Sequence, residues 1–94
     1  MGHMTKKRSR TEARILRTIK KRKEQLLNKI SRDKKIWGGA PVIKGTRIAV
    51  HLIIYQLANG ESIENIMKDY GITKEDILAA LWFAADELNE KYYK

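Results

Sequence analysis

Apolar side chains at Ile15, Leu16, Ile19, Leu26, Leu27 and Ile30 recur at helical spacing, and no glycine or proline falls between Ser9 and Ile30. The pattern predicts one long amphipathic helix over this stretch, its stripe broken only at Arg22 and Lys23. Ser9-x-x-Glu12 marks the start, with a hydroxyl and a carboxylate spaced to satisfy the free amides of a first turn reciprocally. Six large aliphatics on one stripe need a surface to pack against. From Ile36 the pattern changes. Three glycines and the only proline of the chain fall within residues 36–48, which predicts irregular backbone rather than helix. Val42-Ile43 and Arg47-Ile48 are short β-prone pieces around a Lys44-Gly45 turn. They predict an ordered Ω-like loop or a short hairpin, pairing with each other or with a second subunit.

After Ala49 three helices are expected in quick succession. The first spans about residues 50–58 and stops at Asn59-Gly60. The second is capped by Ser62, carries Ile63, Ile66, Met67 and Tyr70 on one face, and stops at Gly71. With Gly71 left-handed, Ile72 should touch Met67. The third is opened by Thr73-x-x-Asp76 and continues to roughly Glu90. The expected fold class is all-α: a tri-helical helix-turn-helix domain with a short β/loop element and an N-terminal basic amphipathic helix. Residues 4–30 form the arm and residues 31–94 the domain, while Met1-Gly2-His3 before Met4 reads as a remnant of tag cleavage. The last helix has more apolar surface than a small monomer hides, since Leu78, Trp82 and Phe83 lie beyond the Ile77, Leu81, Leu88 stripe. Leu52 and Tyr55 are a similar surplus on the helix at 50–58. A symmetric homodimer buried through Leu52, Tyr55, Leu78, Trp82 and Phe83 is the expected solution.

Charge sharpens the division between arm and domain. The first 35 residues carry 14 Lys/Arg against three carboxylates, and the remaining 59 carry six against eight. A polyanionic partner is implied, with double-stranded DNA foremost. Arg8, Arg10, Arg14, Arg17, Lys20, Lys21, Arg22 and Lys23 are the expected phosphate contacts, which position a protein on a duplex by counterion release without encoding sequence. The alternative for such a charge run is a solvated face or a solubilising tail, against which the aliphatic stripe argues. If the helix-turn-helix read bases, its second helix would present Lys74, Glu75 and Asp76 to the groove. Two carboxylates there would be repelled by phosphates, so the motif is read as architectural, with Lys74 its one favourable contact. Arg47 either contacts phosphate or hydrogen-bonds within its loop. The second role is favoured, with Thr46 alike, because irregular backbone needs internal partners. Trp37 is expected to plug the core rather than to stack on bases.

Composition excludes much else. With no cysteine, and His3 and His51 the only imidazoles, no metal or haem site is expected. His51, among aliphatics, is expected to be buried or interfacial. No nucleophile–base pair or phosphate-cradling glycine motif is evident, so neither catalysis nor a cofactor is expected. No apolar run approaches membrane-spanning length. The expectation is a soluble cytoplasmic protein, nucleoid-associated if bound to DNA.

The string Gly38-Gly39-Ala40-Pro41-Val42-Ile43-Lys44-Gly45-Thr46-Arg47-Ile48, continuing through Leu57 to Ile66 and Tyr70 to Leu81, resembles domain-of-unknown-function family 433, usually described as antitoxin-like. That resemblance covers about residues 31–88. It implies a homeodomain-like tri-helical fold, frequent dimers, and a VapB-type antitoxin role whose partner is a PIN-like ribonuclease toxin, with binding to its own operator. The basic arm is not part of that signature, and little chain follows Leu88. Three functions follow as expectations: a dimeric DNA-binding regulator of antitoxin type; an interaction module whose arm docks its apolar stripe on a nuclease; or a non-specific chromatin or nucleic-acid-associated protein.

Overall fold

The computed structural model describes residues 9–92, so Arg8 and Met1-Gly2-His3 lie outside the described residues. Helix α1 spans Arg10–Leu27 and opens on the expected reciprocal cap, Ser9 Oγ accepting from the Glu12 amide and Glu12 accepting from the Ser9 amide. It stops at Leu27, short of the expected end. Ile30 instead enters strand β1 (Ile30–Ser31), which pairs antiparallel with β2 (Val42–Ile43) in the register Ile30 with Ile43 and Ser31 with Val42. The reason lies in β2, whose side chains are both buried. A buried strand with a bare edge would leave backbone groups unsatisfied. The Ile30 segment covers that edge and packs its side chain against the core.

The opposite edge of β2 is met by the chain that follows it. The Ile43 amide donates to the Ile48 carbonyl at 2.9 Å, the Val50 amide to Pro41 at 2.9 Å, and Ala49 bridges Val42. The expected pairing between the two β-prone pieces is therefore present, but only beside a strand contributed by the end of the arm.

Helices α2 (Val50–Ala58), α3 (Ile63–Tyr70) and α4 (Lys74–Tyr92) follow as expected. Gly60 has φ +92°, and the Glu61 amide reaches back to the Gln56 carbonyl at 2.9 Å. Gly71 has φ +68°, the Ile72 amide donates to Met67 at 3.2 Å, and both Ile72 and Met67 pack in the core. Each is the six-to-one bond that closes a helix on a left-handed residue. Thr73 and Asp76 cap α4 reciprocally at 3.0 and 3.1 Å. The core is rich in isoleucine: Ile43, Ile53, Ile66, Ile72 and Ile77 pack with Val50 and Ala80, flanked by Ile30, Ile48, Leu57 and Phe83. Among the described residues the molecule is mostly helical with this one small sheet.

The arm does not stand apart. Helix α1 packs along α4 in the opposite direction, so that Lys29 reaches Asp76 at the start of α4 while Leu16 and Ile19 line a groove with Trp82, Ala85 and Asn89 near its end. Leu26 is only 3% exposed. The trailing half of the aliphatic stripe, Ile19, Leu26 and Leu27, has found its surface within the chain.

Candidate nucleic-acid interface

Helical geometry divides the charges of α1 into two sets. Taking 3.6 residues per turn, Arg10, Arg14, Arg17 and Lys21 fall within about 60° of arc, opposite Ile19 and Leu26, and extend about 16 Å along the axis. All four are exposed, as is Lys20 on the flank. Among the described residues none of these five side chains takes part in an ion pair.

Arg22 and Lys23 lie instead on the packing half, where the aliphatic stripe is interrupted. Arg22 sits 3.8 Å from Glu75, and Lys23 is 2.6 Å from Asp86. Lys29 pairs with Asp76 at 3.5 Å, and Arg32 with Glu87 at 3.7 Å while its guanidinium lies 5.4 Å over the ring of Phe83. The mild acidity of the domain is thus concentrated on α4 where it faces the arm and the strand after it. Two of the expected phosphate contacts are already engaged by carboxylates of their own chain. The arrangement also bears on the start of α4. Glu75 and Asp76 are turned to Arg22 and Lys29, while Lys74 is exposed. A helix whose first turn is occupied in this way has little left to offer a groove. Sequence reasoning missed the role of Glu75, Asp76, Asp86 and Glu87, because only the docking of α1 on α4 brings them to the cations.

The loop between β1 and α2 overturns two expectations. Its internal partner is Thr46, whose hydroxyl donates to the Ile43 carbonyl at 2.7 Å and accepts from the Ile48 amide at 2.9 Å. Arg47 contributes only its backbone, its carbonyl receiving the Trp37 indole N–H at 2.7 Å, and its side chain is exposed with no partner among the described residues. Trp37 is not a core plug. It is 58% exposed, held in a left-handed conformation at φ +51°, and followed by Gly38 and Gly39 with φ +65° and +96°. An L-residue in that region costs about 1–2 kcal/mol. From Lys34 to Gly60 the sequence holds four cations and no carboxylate, a signal of a second basic surface that the charge totals hid.

The expected dimer residues separate as well. Phe83 is turned to its own core. Leu52, Leu78 and Trp82 are half-buried and Tyr55 is 67% exposed. Leu78 and Trp82 share an open apolar face of α4 with Leu81 and Ala85. His51, expected to be hidden, is exposed with its ring edge-on to Tyr55 at 5.8 Å. No described helix is long and apolar enough to cross a membrane.

Compared with known families, residues 30–84 match the model described as "Protein of unknown function (DUF433)". Helix α1 lies outside the matched region. No curated protein and no solved structure matches the chain.

Proposed function

The chain belongs to the DUF433 family, whose description names no activity, and we propose that it is a dimeric DNA-binding protein of antitoxin type that grips the duplex backbone through the outward face of α1. The observation that carries this reading is the stripe of Arg10, Arg14, Arg17 and Lys21, exposed, unpaired among the described residues and opposite the surface that seats the helix. A tail that merely solubilised the protein would not need its cations sorted into a paired set and a free set. In this reading α2, α3 and α4 form a homeodomain-like tri-helical helix-turn-helix unit that is architectural. Its role is to hold α1 rigid, so that contacts made on binding cost little side-chain ordering elsewhere. Two copies pair through the open face of α4 and double the basic surface. The role is binding rather than catalysis.

Five cations of α1 with no ion pair among the described residues set the expected strength of the salt effect. At a slope of about −0.9 per phosphate contact, affinity should fall roughly 500-fold per protomer between 50 and 200 mM salt, and far more for a dimer. A gel-shift series over that range, with Arg14→Gln, Arg17→Gln and Lys21→Gln combined, should show weaker binding and a shallower slope. Equal affinity and slope for wild type and the triple variant would overturn the reading.

A second reading has one observation in its favour. Ile15 and Leu16, on the leading half of α1, remain 49% and 42% exposed. They offer a protein partner, such as a PIN-like ribonuclease toxin, a short apolar contact beside the basic stripe. Pull-down that is lost with Ile15→Ser and Leu16→Ser while DNA binding persists would favour it.

A further inference from the structure

Trp37 is the largest side chain that the fold spends outside its core, and its surroundings define what it can take. The indole N–H is tied to the Arg47 carbonyl at 2.7 Å, which fixes the ring's orientation while leaving 58% of the residue exposed. The next two residues have no side chains to cover it, and the space where a Gly38 side chain would stand is empty. The Arg47 guanidinium, on the same anchored pair, is exposed and unpaired among the described residues. Between β1 and α2 the chain carries five cations, Arg32, Lys34, Lys35, Lys44 and Arg47, against the one carboxylate Asp33.

We infer that Trp37 and Arg47 form a stacking site for an unpaired nucleobase, the indole face taking the base and the guanidinium its neighbouring phosphate. The inference deepens the polyanion reading and rests on it. A nucleotide answers both features of the loop at once, presenting a flat π surface and a negative charge a few ångströms apart. A neutral apolar peptide would leave Arg47 unanswered. A regular duplex keeps its bases stacked on each other, so the site selects distorted, bulged or single-stranded positions. The backbone geometry agrees with a preset platform: Trp37 stands in a left-handed conformation that asparagine or glycine would adopt more easily.

The test uses the full chain and three oligonucleotides carrying 2-aminopurine at one position: a single strand, a duplex with that base bulged out, and a fully paired duplex. Stacking on Trp37 should quench the probe in the single strand and the bulge but not in the paired duplex. Trp37→Asn, which tolerates the left-handed backbone and so preserves the fold, should abolish the quenching. It should also weaken binding of the bulged duplex about tenfold while leaving the salt slope on paired duplex unchanged. Tight, salt-dependent binding with no quenching, or with the same quenching in Trp37→Asn, would overturn the stacking site and spare the phosphate grip. Failure to bind any of the three would sink the underlying reading instead. A tryptophan emission change that is lost in Trp37→Asn and appears on adding poly-glutamate but not the oligonucleotides would reassign the loop to a protein partner.

Discussion

At Thr46 one hydroxyl closes the tight turn from Ile43 to Ile48 around Gly45. It donates to Ile43 and accepts from Ile48 in a half-buried position, so Thr46→Val leaves an amide and a carbonyl without their partner while changing little volume. The expected cost is about 1–2 kcal/mol, read as a fall in melting temperature of roughly 4–8 °C per kcal/mol in a domain this small. Gln56 is the converse case. Its Oε1 is buried with no hydrogen-bond partner among the described residues, and an orphaned acceptor carries a desolvation penalty that an apolar isostere avoids. Gln56→Met should therefore melt at the same temperature or a few degrees higher, and a clear drop would reveal a partner for that oxygen. Thr46 was legible in the sequence because Gly-Thr-Arg in an irregular loop demands an internal hydrogen-bonding group. That the group is Thr46 rather than Arg47 was not legible, since both side chains carry donors and only the backbone path decides which points inward.

Between elements, the decisive contact is the seating of α1 on α4. The Lys23–Asp86 pair at 2.6 Å is only partly exposed, whereas Arg22–Glu75 at 3.8 Å is open to solvent on both sides. Exposed ion pairs contribute between nothing and about 1 kcal/mol. A double-mutant cycle with Lys23→Gln and Asp86→Asn should then give a coupling near the upper end of that range, and one with Arg22→Gln and Glu75→Gln a coupling near zero. Both should shrink as salt rises. Removing Lys23 should loosen α1 without the loss of DNA affinity expected from Lys21, its neighbour on the opposite face. Caps, glycine stops and the periodicity of all four helices were readable because each acts within about a turn of chain. The early end of α1 was not, because Ile30 obeys the helical period equally well and leaves it only to cover the edge of β2.

For the whole molecule, the outward face of α4 is the surface through which the proposed dimer would form. Leu78, Trp82 and Ala85 lie there with Leu81, which is 40% exposed, on a helix already packed on its other sides by α1, α2 and α3. If two protomers pair through this face, Trp82→Glu should give a monomer by sedimentation equilibrium, with helix content retained and the salt slope of DNA binding roughly halved. A dimer that survives this substitution would move the interface elsewhere, for instance to exposed Tyr55. Sequence alone determined where the helices begin, where the three helices of the domain stop, and that the positive charge gathers in the arm, because these follow from signals a few residues apart and from simple counting. Only the tertiary structure decided which cations remain free and where Trp37 stands. An ion pair forms or not according to which carboxylate the fold brings within 4 Å, and a side chain is buried or exposed according to elements distant in sequence.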